Sequence, residues 1–148
     1  MKHMLAYLAV LAALASSTSA AAKPAQKASL TRTNRECNGQ PNEPPKTETF
    51  GFVNLVRTGS DKLVANVVLQ GGTPNAQFNV RLIQIKYGQA VDCGKCTEEG
   101  GTLATDSSGN GNLNIQDAVN SGATSAWVAL NDKTQCSNFY TIGPLSIV

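Results

Sequence analysis

The chain has 148 residues, with 12 Lys and Arg against 10 Asp and Glu, one His and four Cys. A formal net charge of +2 is too small to indicate a nucleic-acid or membrane-surface partner. The only histidine is His3, which lies in a predicted export signal, so mechanisms that need a histidine base, relay or metal ligand are excluded for the mature chain.

The first segment, residues 1–22, has the features of a secretory signal peptide. A short basic start precedes an apolar run from Leu5 to Ala15, and small residues up to Ala22 follow it. The apolar run is shorter than the roughly 20 residues that a membrane-spanning helix needs. We therefore predict cleavage after Ala20 or Ala22, a secreted, extracellular protein and no membrane span in the mature chain.

Residues 23–49 are polar, contain four prolines and show neither a helical nor a strand periodicity. We predict a Pro-containing N-terminal arm, whose second half Cys37 could tie to the body of the protein. The body itself is predicted to comprise residues 50–148.

From residue 50 onward, short segments of strand-forming residues alternate with turns rich in Gly, Asn and Pro. In 63–70 the apolar residues recur with a period of two, and in 78–85 they shift by one position at Ile83, which predicts a bulge or a strand buried on both faces. Only Ile115–Ser121 leaves room for a short helix. The predicted strands are Phe50–Val56, Leu63–Gln70, Phe78–Ile85, Thr102–Thr105, Leu113–Ile115, Ser125–Leu130, Phe139–Ile142 and Leu145–Val148.

This spacing predicts an all-β fold, an antiparallel β-sandwich of about seven to eight short strands. A long loop, 88–101, interrupts the strands and contains a Cys-x-x-Cys sequence.

The four cysteines, Cys37, Cys93, Cys96 and Cys136, predict two disulfides, because the count is even and the domain is small and exported. Three pairings are open, and we favour those in which Cys93 and Cys96 each bind one of the two isolated cysteines. A redox dithiol is less favoured, since the residues after Cys96 are a poor helix start. A zinc site is less favoured because a second close pair of cysteines is missing.

The segment Asp106–Asp117 is rich in oxygen-bearing side chains and glycine. One interpretation is a β-hairpin turn, because Asp, Asn and Gly supply backbone conformations with positive φ. The other is a weak calcium loop, since oxygen ligands recur along it, a glycine permits a sharp turn and a carboxylate ends it. The candidate ligands are Asp106, Ser108, Asn110, Asn112, Asn114 and Asp117. Apart from this weak calcium, the sequence predicts no cofactor.

The candidate binding surface contains Trp127, Tyr87 and Lys95. Trp127 is out of phase with its apolar neighbours, so it lies either on a second buried face of its strand or at the surface as a binding anchor. No catalytic motif is present, and the spacing of the carboxylates does not select an acid/base pair. Glu98 and Glu99, with Asp92 nearby, are interpreted as solvated loop residues.

Three segments together resemble known domains: Leu69–Val80, Thr105–Gly111 and Ala123–Leu130. They resemble immunoglobulin-like secreted microbial domains, and their order is loosely similar to that of the neocarzinostatin-type apoproteins, which bind chromophores. The resemblance covers roughly residues 50–148 and implies an immunoglobulin-like sandwich. The cysteines are placed differently here, so chromophore binding is not carried over.

These observations favour a secreted, non-catalytic β-sandwich that binds an extracellular protein or a polysaccharide through its loops. One alternative is a small secreted hydrolase that uses carboxylates. A second alternative is an extracellular module stabilised by calcium.

Overall fold

The computed structural model describes residues 22–98 and 100–148. The predicted signal peptide therefore lies outside the described residues, apart from Ala22, and Glu99 also lies outside them. No helix among the described residues is long and apolar enough to cross a membrane. The strands are β1 (Lys23–Ser29), β2 (Gly51–Arg57), β3 (Lys62–Leu69), β4 (Gln77–Lys86), β5 (Gln89–Ala90), β6 (Gly101–Ala104), β7 (Gly111–Ala118), β8 (Ser125–Asp132), β9 (Gln135–Thr141) and β10 (Leu145–Ser146).

The first sheet has the strand order β1-β2-β3-β7, and all its pairs are antiparallel. Its strand β3 alternates strictly, because Leu63, Ala65, Val67 and Leu69 are buried while the residues between them are less so. This period of two gives the sheet one face toward the core and one toward solvent.

The second sheet is built around β4 and β8, which pair along their whole length without a register shift. The outer edge of β8 pairs with β9 and β10, and the outer edge of β4 pairs with β5 and β6. The apolar shift at Ile83 therefore marks a strand buried on both faces, and the bulge that we considered there is absent from the β4–β8 pairing.

The inner faces of the two sheets share one apolar core, so the predicted all-β antiparallel sandwich is confirmed. The described residues form ten strands, which is more than the seven to eight that we expected. Strands β1 and β5 were missed, the first because it is polar and the second because it has only two residues. The large buried side chains include Leu30, Leu55, Leu69, Phe78, Leu103, Leu130, Tyr140, Ile142 and Ile147.

The expectation of an N-terminal arm without strand structure is wrong for Lys23–Ser29. This segment forms the edge strand β1, and its backbone pairs with β2. The side chains of Lys23 and Gln26 also donate hydrogen bonds to the carbonyl oxygens of Val148 and Ser146, at 2.9 and 2.6 Å. An edge strand needs only one apolar face and one backbone partner, so polar composition does not prevent it. The sandwich therefore begins at Lys23 and not at residue 50.

The turn at residues 106–110 connects the two sheets and does not close a two-stranded hairpin. Strand β6 before the turn pairs with β4, whereas β7 after it pairs with β3. The short helix that we allowed at Ile115–Ser121 is also wrong for Ile115–Ala118, which belongs to β7.

Candidate functional site

Two chain segments cover the outer face of the second sheet, whereas the outer face of the first sheet is partly exposed. Outward-facing side chains of β4 and β8 form a second apolar cluster of Ile83, Ile85, Trp127 and Ala129, all buried. Two segments lie over this face, residues 35–41 and residues 91–98, which we call the outer cover. Its contacts with the sheet, described below, build the candidate site.

Polar side chains of β4 hold the second of these segments in place. The Asn79 side-chain amide donates to the carbonyl oxygen of Glu98 at 2.7 Å, and it is also within reach of the Lys95 and Cys96 carbonyls. Arg81 Nη1 donates to the Cys93 carbonyl at 2.6 Å. Because these bonds satisfy backbone carbonyls of a loop that has no sheet partner, they fix its course over the sheet.

Two disulfides tie the outer cover to itself and to β9. Cys37 binds Cys93 and Cys96 binds Cys136, with Cα–Cα distances of 5.5 and 5.8 Å. The prediction of two disulfides is confirmed, and so is the favoured arrangement in which each Cys-x-x-Cys member binds an isolated cysteine. No free cysteine remains among the described residues.

Trp127 lies beneath the outer cover. Its indole is 3% exposed, and its Nε1 donates a hydrogen bond to the Cys37 carbonyl at 2.9 Å. The interpretation of a strand buried on both faces is therefore confirmed. The alternative of an exposed anchor is wrong, because residues from outside the predicted strands cover the ring.

A cleft of about 530 Å³ opens beside Trp127, between the two disulfides. Its floor is the outer face of β8, including Ala129, and Phe139 of β9 contributes an aromatic side chain. The remaining lining residues are Asn34, Arg35, Cys37, Arg81, Cys93, Gly94, Cys96, Asn131, Cys136, Ser137 and Thr141. Sites for small ligands typically have volumes of about 300–1,000 Å³ with an apolar lining and a few polar groups, so this cleft has suitable dimensions.

Arg35 is one of two arginines in the lining of this cleft, and the sequence did not single it out as a site residue. Its Nε donates to the Thr141 hydroxyl at 2.9 Å and its Nη1 donates to the Gly39 carbonyl at 3.0 Å. Partial burial lowers the pKa of the guanidinium below its ordinary value. An isolated arginine in a polar segment gives no sequence signal, since only the folded chain brings it against β9.

Tyr87 and Lys95, two of the predicted binding residues, lie outside the lining of this cleft. Tyr87 is 89% exposed, at the tip of the β4–β5 hairpin, with a φ of 52°. Its neighbour Lys86 places Nζ 5.6 Å from the ring centroid. Lys95 is exposed and forms an ion pair with Glu98 at 3.4 Å.

The six predicted calcium ligands are not brought together. From Gly111 to Asp117 the chain is extended strand, which spans about 20 Å, so Asp117 and Asp106 cannot share one ion. Asp106 Oδ1 accepts hydrogen bonds from the backbone amides of Asn110 and Ser108, at 3.0 and 2.9 Å, and these bonds lower its pKa. The six-ligand calcium loop is therefore wrong, because the second half of the segment pairs with β3 instead of folding back.

Asp92 and Asp117 line a smaller cleft of about 140 Å³ at the edge of β4. Asp92 Oδ1 accepts a hydrogen bond from the backbone amide of Gly94 at 3.0 Å. Asp117 Oδ2 accepts one from the side-chain amide of Gln84 at 3.3 Å. Glu98 lies outside this lining. Among the described residues no group of three or more His, Cys, Asp or Glu is placed to hold a metal ion.

Comparison with protein-family models, with curated proteins and with solved structures finds no match to this chain. The immunoglobulin-like and neocarzinostatin-like resemblance therefore stays a prediction.

Proposed function

We propose that this protein is a secreted, non-catalytic binding module that engages an extracellular protein or a polysaccharide through the disulfide-braced face of its second sheet. The observation that carries the proposal is the cleft between the two disulfides, with a rigid floor on β8. Two disulfides in a small all-β domain are also compatible with an oxidising, extracellular location.

Preorganisation supports binding at this face. A loop fixed by two disulfides and by the side chains of Asn79 and Arg81 loses little conformational entropy when a partner docks. The exposed Tyr87 at the tip of the β4–β5 hairpin offers a separate aromatic contact of the kind that dominates many interfaces. Tyr87 and Gly88 are the two loop residues of this hairpin, and their φ values of 52° and 74° are those of a type I′ turn, which holds the Tyr87 side chain out from the sheet.

The test measures retention of the purified mature chain on a panel of insoluble polysaccharides and on an array of extracellular proteins. Ser137→Trp places a bulky side chain at an exposed position of the cleft lining, and Ser108→Trp makes the same change in the turn at residues 106–110. We expect binding to be abolished by Ser137→Trp, weakened about tenfold by Tyr87→Ala and unchanged by Ser108→Trp. Equal binding by Ser137→Trp and Ser108→Trp, or no binding across the panel, would overturn the proposal.

A carboxylate hydrolase is the second candidate, favoured by the position of Asp92 and Asp117 in one small cleft. Glycoside hydrolysis needs two carboxyl groups that flank the scissile bond. Its test compares Asp92→Asn and Asp117→Asn with Asp61→Asn, a carboxylate outside that lining. The hydrolase is supported if the unaltered protein and Asp61→Asn release reducing sugar while Asp92→Asn and Asp117→Asn do not. If the unaltered protein shows no turnover, this candidate is rejected.

A further inference from the structure

The cleft between the disulfides has a positively charged wall. Of its 14 described lining residues two are arginines, Arg35 and Arg81, and none is Asp or Glu. The ion pairs among the described residues are Arg57–Asp61 and Lys95–Glu98, so no described carboxylate pairs with Arg35. A partner with complementary charge therefore carries an anionic group.

The guanidinium of Arg35 is held in one orientation. Nε and Nη1 donate to the Thr141 hydroxyl and the Gly39 carbonyl, whereas Nη2 makes no hydrogen bond within the described residues. Since the single hydrogen of Nε is already donated to Thr141, Nη2 is the donor that remains for a carboxylate, and a charge-assisted hydrogen bond of this kind is stronger than a neutral one. A donor that is already fixed loses little side-chain entropy on binding.

Partial burial makes an anion more favourable for Arg35. Desolvation lowers the pKa of its guanidinium, but an arginine keeps its proton in a protein. A partly desolvated cation interacts more strongly with an opposite charge than a cation in bulk water does.

Part of the lining is apolar. Ala129 forms part of the floor, Phe139 and the two disulfides contribute apolar surface, and Trp127 supports the floor from within the sheet. The space of about 530 Å³ is large enough for a molecule of small-ligand size.

We infer that this cleft binds a small organic anion whose carboxylate pairs with Arg35 and whose apolar body rests on Phe139 and the disulfides. The inference concerns the same face as the proposed function and goes beyond it, because it adds a small-molecule ligand to the macromolecular partner.

The experiment uses two probes that share an apolar body and differ in charge, 4-phenylbutanoate and 4-phenylbutanamide. Trp127 is the only tryptophan of the chain and lies in the cleft lining, so its fluorescence reports binding, with calorimetry as a second measurement. We expect the carboxylate to bind about tenfold more tightly than the amide, as a charge-assisted hydrogen bond predicts.

The variants separate the charge of Arg35 from the shape of the cleft. Arg35→Gln is expected to remove the preference for the carboxylate, and Arg35→Lys is expected to retain part of it. Lys62→Gln removes one positive charge from an exposed position on the first sheet and should leave the preference unchanged. Ser137→Trp should weaken binding of both probes.

Arg35→Gln also loses the bonds to Thr141 and Gly39, so its folding is checked by circular dichroism and thermal melting. If it does not fold, the Arg35→Lys and Ser137→Trp variants carry the test. Equal affinity of the two probes for the unaltered protein, or a preference for the carboxylate that a folded Arg35→Gln variant retains or that Lys62→Gln abolishes, would overturn the inference. Even then, the proposed function would stand if the unaltered protein is retained on the panel of polysaccharides and extracellular proteins and Ser137→Trp abolishes that retention.

Discussion

The two sheets of this sandwich differ in what lies on their outer faces. On β3 of the first sheet the outward residues Val64, Asn66 and Val68 remain partly or fully exposed, whereas on β8 every residue from Ala126 to Asp132 is buried. The first sheet therefore has one buried face, and the second sheet has two. The difference shows that a segment without regular secondary structure can complete a second core when cross-links hold it.

The outer cover depends on bonds between residues far apart in the chain. The disulfides join residues 56 and 40 positions apart, and the Trp127 to Cys37 hydrogen bond joins residues 90 positions apart. Closing loops of this length costs conformational entropy, which the contacts of the cover must offset. We therefore expect the cover to be the part of the described chain that opens most easily once a cross-link is lost.

The largest effect is expected from removing one cross-link. Cys37→Ala with Cys93→Ala should lower the free energy of unfolding by about 4 kcal/mol, because the closed loop constrains the unfolded chain. Hydrogen exchange should show a larger loss of protection at the backbone amides of Glu36 and Gly39 in the outer cover than at those of β2 and β3. Equal losses at all of these amides would contradict a cover that opens separately.

The next effect compares an aromatic residue on each outer face. Trp127→Ala should cost about 3 kcal/mol, since it leaves a cavity and an unpaired Cys37 carbonyl. Phe52→Ala, on the half-buried outer face of the first sheet, should cost about 1 kcal/mol. Chemical denaturation measures both changes, and similar costs would mean that the two faces are equally buried in solution.

A smaller effect compares two glycines with positive φ. A Cβ at Gly39 would lie 2.6 Å from Pro144 Cγ and 2.9 Å from Trp127 Cδ1, whereas one at Gly71 meets no atom within 4 Å. Both Gly→Ala variants bear a backbone cost of about 1 kcal/mol, and Gly39→Ala should lose roughly 1–2 kcal/mol more through the clash. Thermal melting of the pair decides this, and equal melting temperatures would show that the cover yields without cost.

The smallest effect is expected from acid. Burial raises the pKa of Asp132, but the Thr134 amide, the Thr134 hydroxyl and the Asn138 amide outweigh it, so its pKa lies below the ordinary 3.8. The pKa of Asp106 is lowered by the Asn110 and Ser108 amides. Because both are depressed on folding, their stabilisation is present above the unfolded pKa and is lost as the pH falls through the folded pKa.

Asp132→Asn and Asp106→Asn should each flatten the acid limb of the plot of unfolding free energy against pH. Urea titrations from neutral to acid pH measure the slope. An acid limb as steep in both variants as in the unaltered protein would assign the acid sensitivity to other groups.

Strand β3 of the first sheet and the central strands of the second could be predicted from local pattern. The period of two in β3 and the apolar shift at Ile83 both follow from side chains that alternate across a strand. Strand β1 could not be predicted, since its polar residues gain their structure from pairing with β2 and from bonds to the chain end at Ser146 and Val148. Propensity carries little information at such an edge.

The candidate site was predicted in part. The even cysteine count indicated the disulfides, and the phase of Trp127 left a second buried face open as an alternative. The cleft and Arg35 could not be found, because residues 35–41 approach β8 and β9 only through contacts that span much of the chain. The calcium interpretation failed because the pattern of oxygen ligands in Asp106–Asp117 is also the pattern of a turn followed by a polar strand face.

The sequence by itself determined an all-β sandwich with two disulfides. Strand periodicity is a property of each short segment, and an even number of cysteines is the same for every arrangement of the strands. Only the tertiary structure decided which sheet each strand joins, which face Trp127 occupies and what covers it. Those features depend on contacts between residues that are far apart in the chain. A backbone hydrogen bond or a packed ring stabilises one arrangement only once folding has brought its two partners together.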